Sequence, residues 1–91
     1  MDSYEIYKER IPAEKTFFVG SSISDEDADL LIGKIAKCLE EEFPEYEFVL
    51  SYAFLDGTEP DVVVETEGHG WVRDRFLDER INDVIVANGL Y

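Results

Sequence analysis

The run Glu45-Tyr46-Glu47-Phe48-Val49-Leu50-Ser51-Tyr52-Ala53-Phe54-Leu55 alternates between two chemistries. Tyr46, Phe48, Leu50, Tyr52 and Phe54 share one parity. Glu45, Glu47, Val49, Ser51, Ala53 and Leu55 share the other. A period of two is the signature of a strand with one face on a core and the other toward water. The chain is therefore expected to be organised around a sheet whose open face carries glutamates.

Downstream, Asp56-Gly57-Thr58-Glu59-Pro60 has turn composition, and Asp61 to Glu67 reads as the returning strand of a hairpin. Its inward set is Val62, Val64 and Thr66, and its outward set is Asp61, Val63, Glu65 and Glu67. Gly68-His69-Gly70 then breaks the strand. Trp71 to Asn88 is expected to be helical, with Gly89 as its stop signal. Leu77, Ile81, Val84 and Ile85 make its main apolar stripe. Val72 and Phe76 fall on another flank, so this helix is either sandwiched or presents a strip to a partner.

Upstream, Ser24 with Asp27 three residues on approximates a capping box, and Asp25, Glu26, Asp27 and Asp29 suit a helix start. Ala28, Leu31, Ile32, Ile35, Cys38, Leu39 and Phe43 recur at helical spacing until Pro44. Thr16-Phe17-Phe18-Val19 reads as a strand ended by Gly20. Tyr4 to Arg10 suits a half-exposed strand or a short helix, ended by Pro12, and as a strand it would pair with the next one. The expected order is ββαββα. The expected fold class is α+β: a two-layer sandwich with a mainly antiparallel sheet and two helices on one face, a single domain over residues 1–91.

The composition of the 91 residues fits one modest core: 45% are apolar and 13% aromatic. Eight Lys and Arg stand against 22 Asp and Glu, for a net charge of −14. Such a chain is not expected to bind nucleic acid or anionic lipid through its own surface. No apolar run reaches the ~20 residues of a membrane span. Met1-Asp2-Ser3-Tyr4-Glu5 lacks the basic and apolar regions of a signal peptide. With Cys38 as the one cysteine, a cytoplasmic setting is expected, in a bacterial cell or a virus-infected host.

The charge is regional. From Cys38 through Val72 there is no Lys or Arg, while Glu40, Glu41, Glu42, Glu45, Glu47, Asp56, Glu59, Asp61, Glu65 and Glu67 all fall there. Glu40, Glu41 and Glu42 occupy a helix end, where the dipole disfavours anions by about 0.3–1 kcal/mol each. In the expected hairpin Glu45, Glu47, Glu65 and Glu67 share one sheet face and repel. Carboxylates held where stability would not choose them point to a use outside the fold.

Other motifs carry less. Asp25-x-Asp27-x-Asp29 begins like a calcium loop, but Leu30 replaces the turn glycine and Ala36 the bidentate glutamate. Gly20-Ser21-Ser22 has the outline of a phosphate loop without its lysine, and acids follow it. His69 reads as a turn residue, with a general base or a weak metal ligand beside Asp74 as the lesser reading. Cys38 reads as a small core hydrophobe rather than a nucleophile. Glu65 and Glu67 could divide acid and base roles, but no nucleophile motif, cofactor fingerprint or Cys/His cluster accompanies them. No catalysis, cofactor or metal is expected. Ser51 reads as an exposed strand residue, and Tyr4, Tyr7, Tyr46 and Tyr52 as strand packing.

The acidic, compact character is similar in kind to DNA-mimic inhibitors carried by phages and mobile elements, anti-restriction and anti-CRISPR proteins among them. The likeness is one of composition and transfers no residue motif. It implies a non-catalytic inhibitor that sets Glu45, Glu47, Glu65 and Glu67 in the basic cleft of a nucleic-acid-binding protein or ribonucleoprotein. Glu40, Glu41, Glu42, Asp56, Glu59 and Asp61 would extend that patch. Carboxylates at i and i+2 on a strand lie about 6–7 Å apart, and duplex phosphates are separated by somewhat more than their ~3.4 Å rise. The alternative is a small homodimeric interaction module, associating through Val72, Phe76 and a strand edge, whose acidity serves only solubility.

Overall fold

The structure, a computed structural model, describes residues 10–90. Strand β1 spans Ile11–Phe18, helix α1 Asp25–Glu42, β2 Tyr46–Ala53, β3 Val63–Thr66, β4 Gly70–Arg73 and helix α2 Arg75–Ala87. The element expected at Tyr4–Arg10 lies outside the described residues, apart from Arg10. The four strands form one sheet in the order β2-β1-β3-β4. β1 and β2 run parallel, and the other two pairings are antiparallel. This is an α+β fold with both helices on one face of the sheet. Ala13, Phe17, Val62 and Val64 from the sheet side meet Ile35, Leu39 and Phe43 of the first helix region and Leu77, Ile81 and Ile85 of the second.

Local chemistry explains the helices. The Ser24 hydroxyl accepts the Asp27 amide at 3.2 Å, and the acids of the first turn suit the positive end of α1. Ala28, Ile35, Leu39 and Phe43 are buried, while Leu31, Ile32 and Cys38 are half-buried. At the end of α2, Leu90 N–H returns to Ile85 O at 3.1 Å and Gly89 N–H to Val86 O at 3.0 Å. This Schellman closure needs a left-handed residue, and Gly89 supplies it with φ +65°. Gly89→Ala is expected to cost about 1–2 kcal/mol, read as a lower thermal midpoint with an unchanged far-ultraviolet spectrum.

Three expectations are corrected. First, β2 and β3 are not a hairpin. β1 lies between them, with Ala13 opposite both Phe48 and Val64. The nine-residue connection from β2 to β3 passes over the end of β1: Gly20 N–H bonds to Leu55 O on one side, and Phe18 N–H to Glu59 Oε2 on the other. Second, β1 begins at Ile11, well before Thr16, and runs through Pro12. Third, α2 begins at Arg75 rather than Trp71. Gly70–Arg73 is strand β4, which follows β3 after a three-residue turn where Gly68 has φ +87°. The Asp74 carboxylate caps α2 through Leu77 N–H at 2.9 Å, so the chain switches from strand to helix within a single residue.

The alternation of β2 holds from Tyr46 to Tyr52, with Glu47, Val49 and Ser51 on the open side, while Ala53 at the strand end is half-buried. Phe54 lies past the end of the strand and is exposed.

Candidate functional site

The parallel and antiparallel pairings set the starts of β1 and β2 and the end of β3 at one end of the sheet. The last turn of α1 leads directly into β2 there through Phe43-Pro44. Seven glutamates collect at this end: Glu40, Glu41 and Glu42 from α1, Glu45 and Glu47 at and in β2, and Glu65 and Glu67 in and just after β3. All seven are exposed. Among the described residues, none of them lies within ion-pair distance of a cation.

Their spacing differs from the hairpin expectation. Pro12 stands opposite Glu47, and the antiparallel register continued by one residue sets Pro12 beside Glu65. Two strand spacings, about 9–10 Å, therefore separate Glu47 from Glu65. That is close to one Debye length at 0.1 M salt, so direct repulsion between the two strands' acids is weak there. The open face is also mixed. Besides Glu14, Glu47 and Glu65 it carries Pro12, Val49, Val63, Trp71 and Arg73. The carboxylates form an end, not a plate.

A cleft of about 570 Å³ opens at this end, lined in part by Arg10, Pro12, Tyr46, Glu65 and Glu67. Its cause is Pro12. Ile11 N–H bonds toward β2, to Glu45 O at 2.8 Å, so the next backbone position faces β3. Proline has no N–H to offer there, and the β1–β3 ladder ends at Ala13. The Arg10 guanidinium donates to Tyr46 O at 2.9 and 3.3 Å and places one cation in the lining.

The remaining acids of the expected patch lie elsewhere. Asp56, Glu59 and Asp61 belong to the connection over the opposite end of β1; Asp56 is exposed and Asp61 half-buried. Glu59 serves the fold. Its Oε2 accepts Phe18 N–H at 2.8 Å, and its Oε1 lies 3.5 Å from Lys15 Nζ. Lys15 points into the core from β1 and is 2% exposed. Its ammonium is 2.7 Å from Asp78 Oδ1 and donates to Pro60 O at 2.7 Å, with the Phe17 ring centroid 5.6 Å away. Asp78 Oδ1 also accepts Val62 N–H at 2.9 Å. This clamp ties β1, the β2–β3 connection and α2 together, and the sequence reading missed it. The one signal is parity: Ala13, Lys15 and Phe17 share the core side of β1.

Asp25, Asp27 and Asp29 lie in the opening turns of α1, not in a loop, and the calcium-like pattern is helix-start chemistry. His69 is an exposed turn residue. Cys38 is half-buried rather than fully so; burial raises its thiol pKa, and Glu42 and Glu41 add to the rise. Ser51 is exposed and shares a hydrogen bond of 2.8 Å with Thr16 Oγ1. Among the described residues no group of three His, Cys, Asp or Glu is placed to hold a metal ion.

The Tyr52 hydroxyl donates to Asp29 Oδ1 at 2.7 Å, and this bond holds the phenol pKa above 10. The Tyr46 phenol is also raised, by burial first and then by Asp74 and Glu45, with Arg80 opposing. A raised phenol pKa stabilises the folded, protonated form. That contribution is complete below the unfolded value near 10 and is lost as pH climbs through the higher folded values. Tyr52→Phe is therefore expected to flatten the fall of the thermal midpoint above pH ~10. A wild-type midpoint that does not fall over that range would contradict it.

Val72 and Phe76, expected on one helix flank, sit on different elements: Val72 on β4 and Phe76 in the first turn of α2. Both are exposed, as is Trp71 between Val72 and the turn. No family model, curated protein or solved structure matches the chain.

Proposed function

We propose that this chain acts without catalysis, by setting its glutamate end into a positively charged cleft of a nucleic-acid-binding protein in place of a phosphate backbone. The observation that supports this is the convergence of seven exposed glutamates from α1, β2 and β3 on one end, with no ion pair to the chain's own described cations. Stability does not ask for the cluster, since α1 has no basic residue in its last turn to balance Glu40, Glu41 and Glu42. Glu47 on β2 and Glu65 on β3 flank Pro12 in the sheet, with Glu45 and Glu67 just beyond the strand ends, and Glu65 and Glu67 line the Pro12 cleft. Glu59 is reserved for Lys15 and takes no part. Asp56 and Asp61 lie at the far end and contribute only to the long-range field. No helix among the described residues is long and apolar enough to cross a membrane.

The test is affinity capture from nuclease-treated lysate at low and high salt. It is followed by competition between the purified captured protein's nucleic acid and this chain. The expected result is a nucleic-acid-binding protein, retained at low salt and released at high salt, whose nucleic acid the chain displaces. Retention that persists when Glu45, Glu47, Glu65 and Glu67 are all changed to lysine, or a captured protein whose nucleic acid stays bound, would overturn the reading.

A further inference from the structure

We propose that β4 is a self-association edge, on which the β4 of a second copy pairs antiparallel about a two-fold axis at Val72. The inference is independent of the function proposed for the glutamate end.

β4 ends the sheet order β2-β1-β3-β4, and all four of its residues are exposed. Backbone parity fixes what it offers. Asp74 N–H bonds to Val62 O at 2.9 Å, and Val72 and Gly70 stand opposite Val64 and Thr66. Antiparallel ladders alternate between pairs that exchange hydrogen bonds and pairs that do not. Gly70, Val72 and Asp74 therefore turn their backbone groups inward to the β3 side. Trp71 and Arg73 turn theirs to the outer edge, where no described strand lies.

Pairing about Val72 sets Trp71 of one copy opposite Arg73 of the other, twice. Each of these pairs presents an outward N–H and C=O on both sides, so the junction gains a complete set of ladder bonds. The side chains agree with the backbone. Trp71 and Arg73 lie on the same open face, opposite Glu65 and Val63 of β3. Each guanidinium thus meets an indole rather than another guanidinium, a favourable cation–π pairing. The two Val72 side chains meet across the axis on the helix-bearing face, the side of buried Val64. Other registers of the same parity are worse. Pairing about Trp71 sets Arg73 against the turn residue His69, and pairing about Arg73 joins two guanidiniums and drives Trp71 toward the start of α2.

Charge selects this edge over its opposite. β2 is the other end of the sheet, and Glu45 and Glu47 guard it, so two copies meeting there would bring like charges together. Arg73 and Arg75 border β4 instead. With four residues per strand the contact is small, and a dissociation constant of about 10 μM to 1 mM is expected.

The test replaces Val72 by cysteine in a Cys38→Ser background. In the proposed register the two position-72 residues form a non-hydrogen-bonded pair about 4.5 Å apart at Cα, within disulfide reach. Mild oxidation should give a covalent dimer, and Val49→Cys on the β2 edge should not. Sedimentation of the unmodified chain should show a dimer that grows with concentration. Arg73→Glu should weaken it at least tenfold while leaving the melting curve in place. A chain that stays monomeric at millimolar concentration overturns the proposal. So does cross-linking no faster at position 72 than at 49, or association that Arg73→Glu leaves unchanged.

Discussion

Asp78→Ala is expected to destabilise the fold by about 3–5 kcal/mol, the cost of leaving a buried ammonium without its close partner. A domain of this length has about 5–14 kcal/mol in total, so the variant should lose a large share of its stability. The effect has two sources in the structure. Lys15 Nζ loses an oxygen at 2.7 Å in a site where it is 2% exposed, and Val62 N–H loses its acceptor at 2.9 Å. Glu59 is not a substitute, because its nearer oxygen stands 3.5 Å from the ammonium and its other oxygen already serves Phe18 N–H.

The paired change Lys15→Met with Asp78→Asn separates these sources. It removes the buried cation, and its amide oxygen can still accept Val62 N–H. Replacing a buried ion pair by groups of similar volume is commonly neutral or stabilising. The double variant should therefore recover most of what Asp78→Ala loses in urea unfolding. If it is as unstable as Asp78→Ala, the deficit comes from packing and hydrogen bonding rather than from an unpaired charge.

Changing Glu45, Glu47, Glu65 and Glu67 together to lysine is expected to weaken binding to the captured partner by roughly a thousandfold or more at low salt, about 4 kcal/mol. Like charges set face to face cost several kcal/mol, and four of them would meet a basic cleft. The defect should shrink as salt rises, because the attraction it removes is screened over about a Debye length. Folding should be barely affected, since all four side chains are exposed and none forms an ion pair among the described residues. Equal binding titrations for wild type and variant across salt concentrations would contradict an electrostatic contact.

The two helices and the long alternating strand were legible because each advertises itself locally. Ser24 and Pro44 bracket α1, Gly89 closes α2, and Tyr46 to Ala53 shows its period without help. The inward parity of Val62 and Val64 was legible for the same reason. The strand neighbours were not. Two strands joined by a turn-like stretch usually pair, and nothing within Glu45 to Glu67 reveals that β1, from far upstream, lies between them. β4 was hidden because Trp71 and Val72 run without a break into the helical pattern; only Asp74, a good capping residue, marked the switch. Lys15 was hidden because Pro12 read as an ending, so the parity shared with Ala13 and Phe17 was not followed. The parity of Glu47 and Glu65 placed them on the open side, where the structure has them, but Glu59 could be told from its neighbours only by knowing which strand it crosses.

The central place of β1 also bears on how the protein is made. This inner strand precedes the other described strands in translation. Its partner Tyr46 comes only after the whole of α1, and Val64 later still. A ribosome-bound chain that stops short of β3 holds an apolar strand with one or both edges bare. Synthesis through β3 is thus a precondition for β1 to have both its neighbours, and chains that stop before it are the species that holdase chaperones would meet.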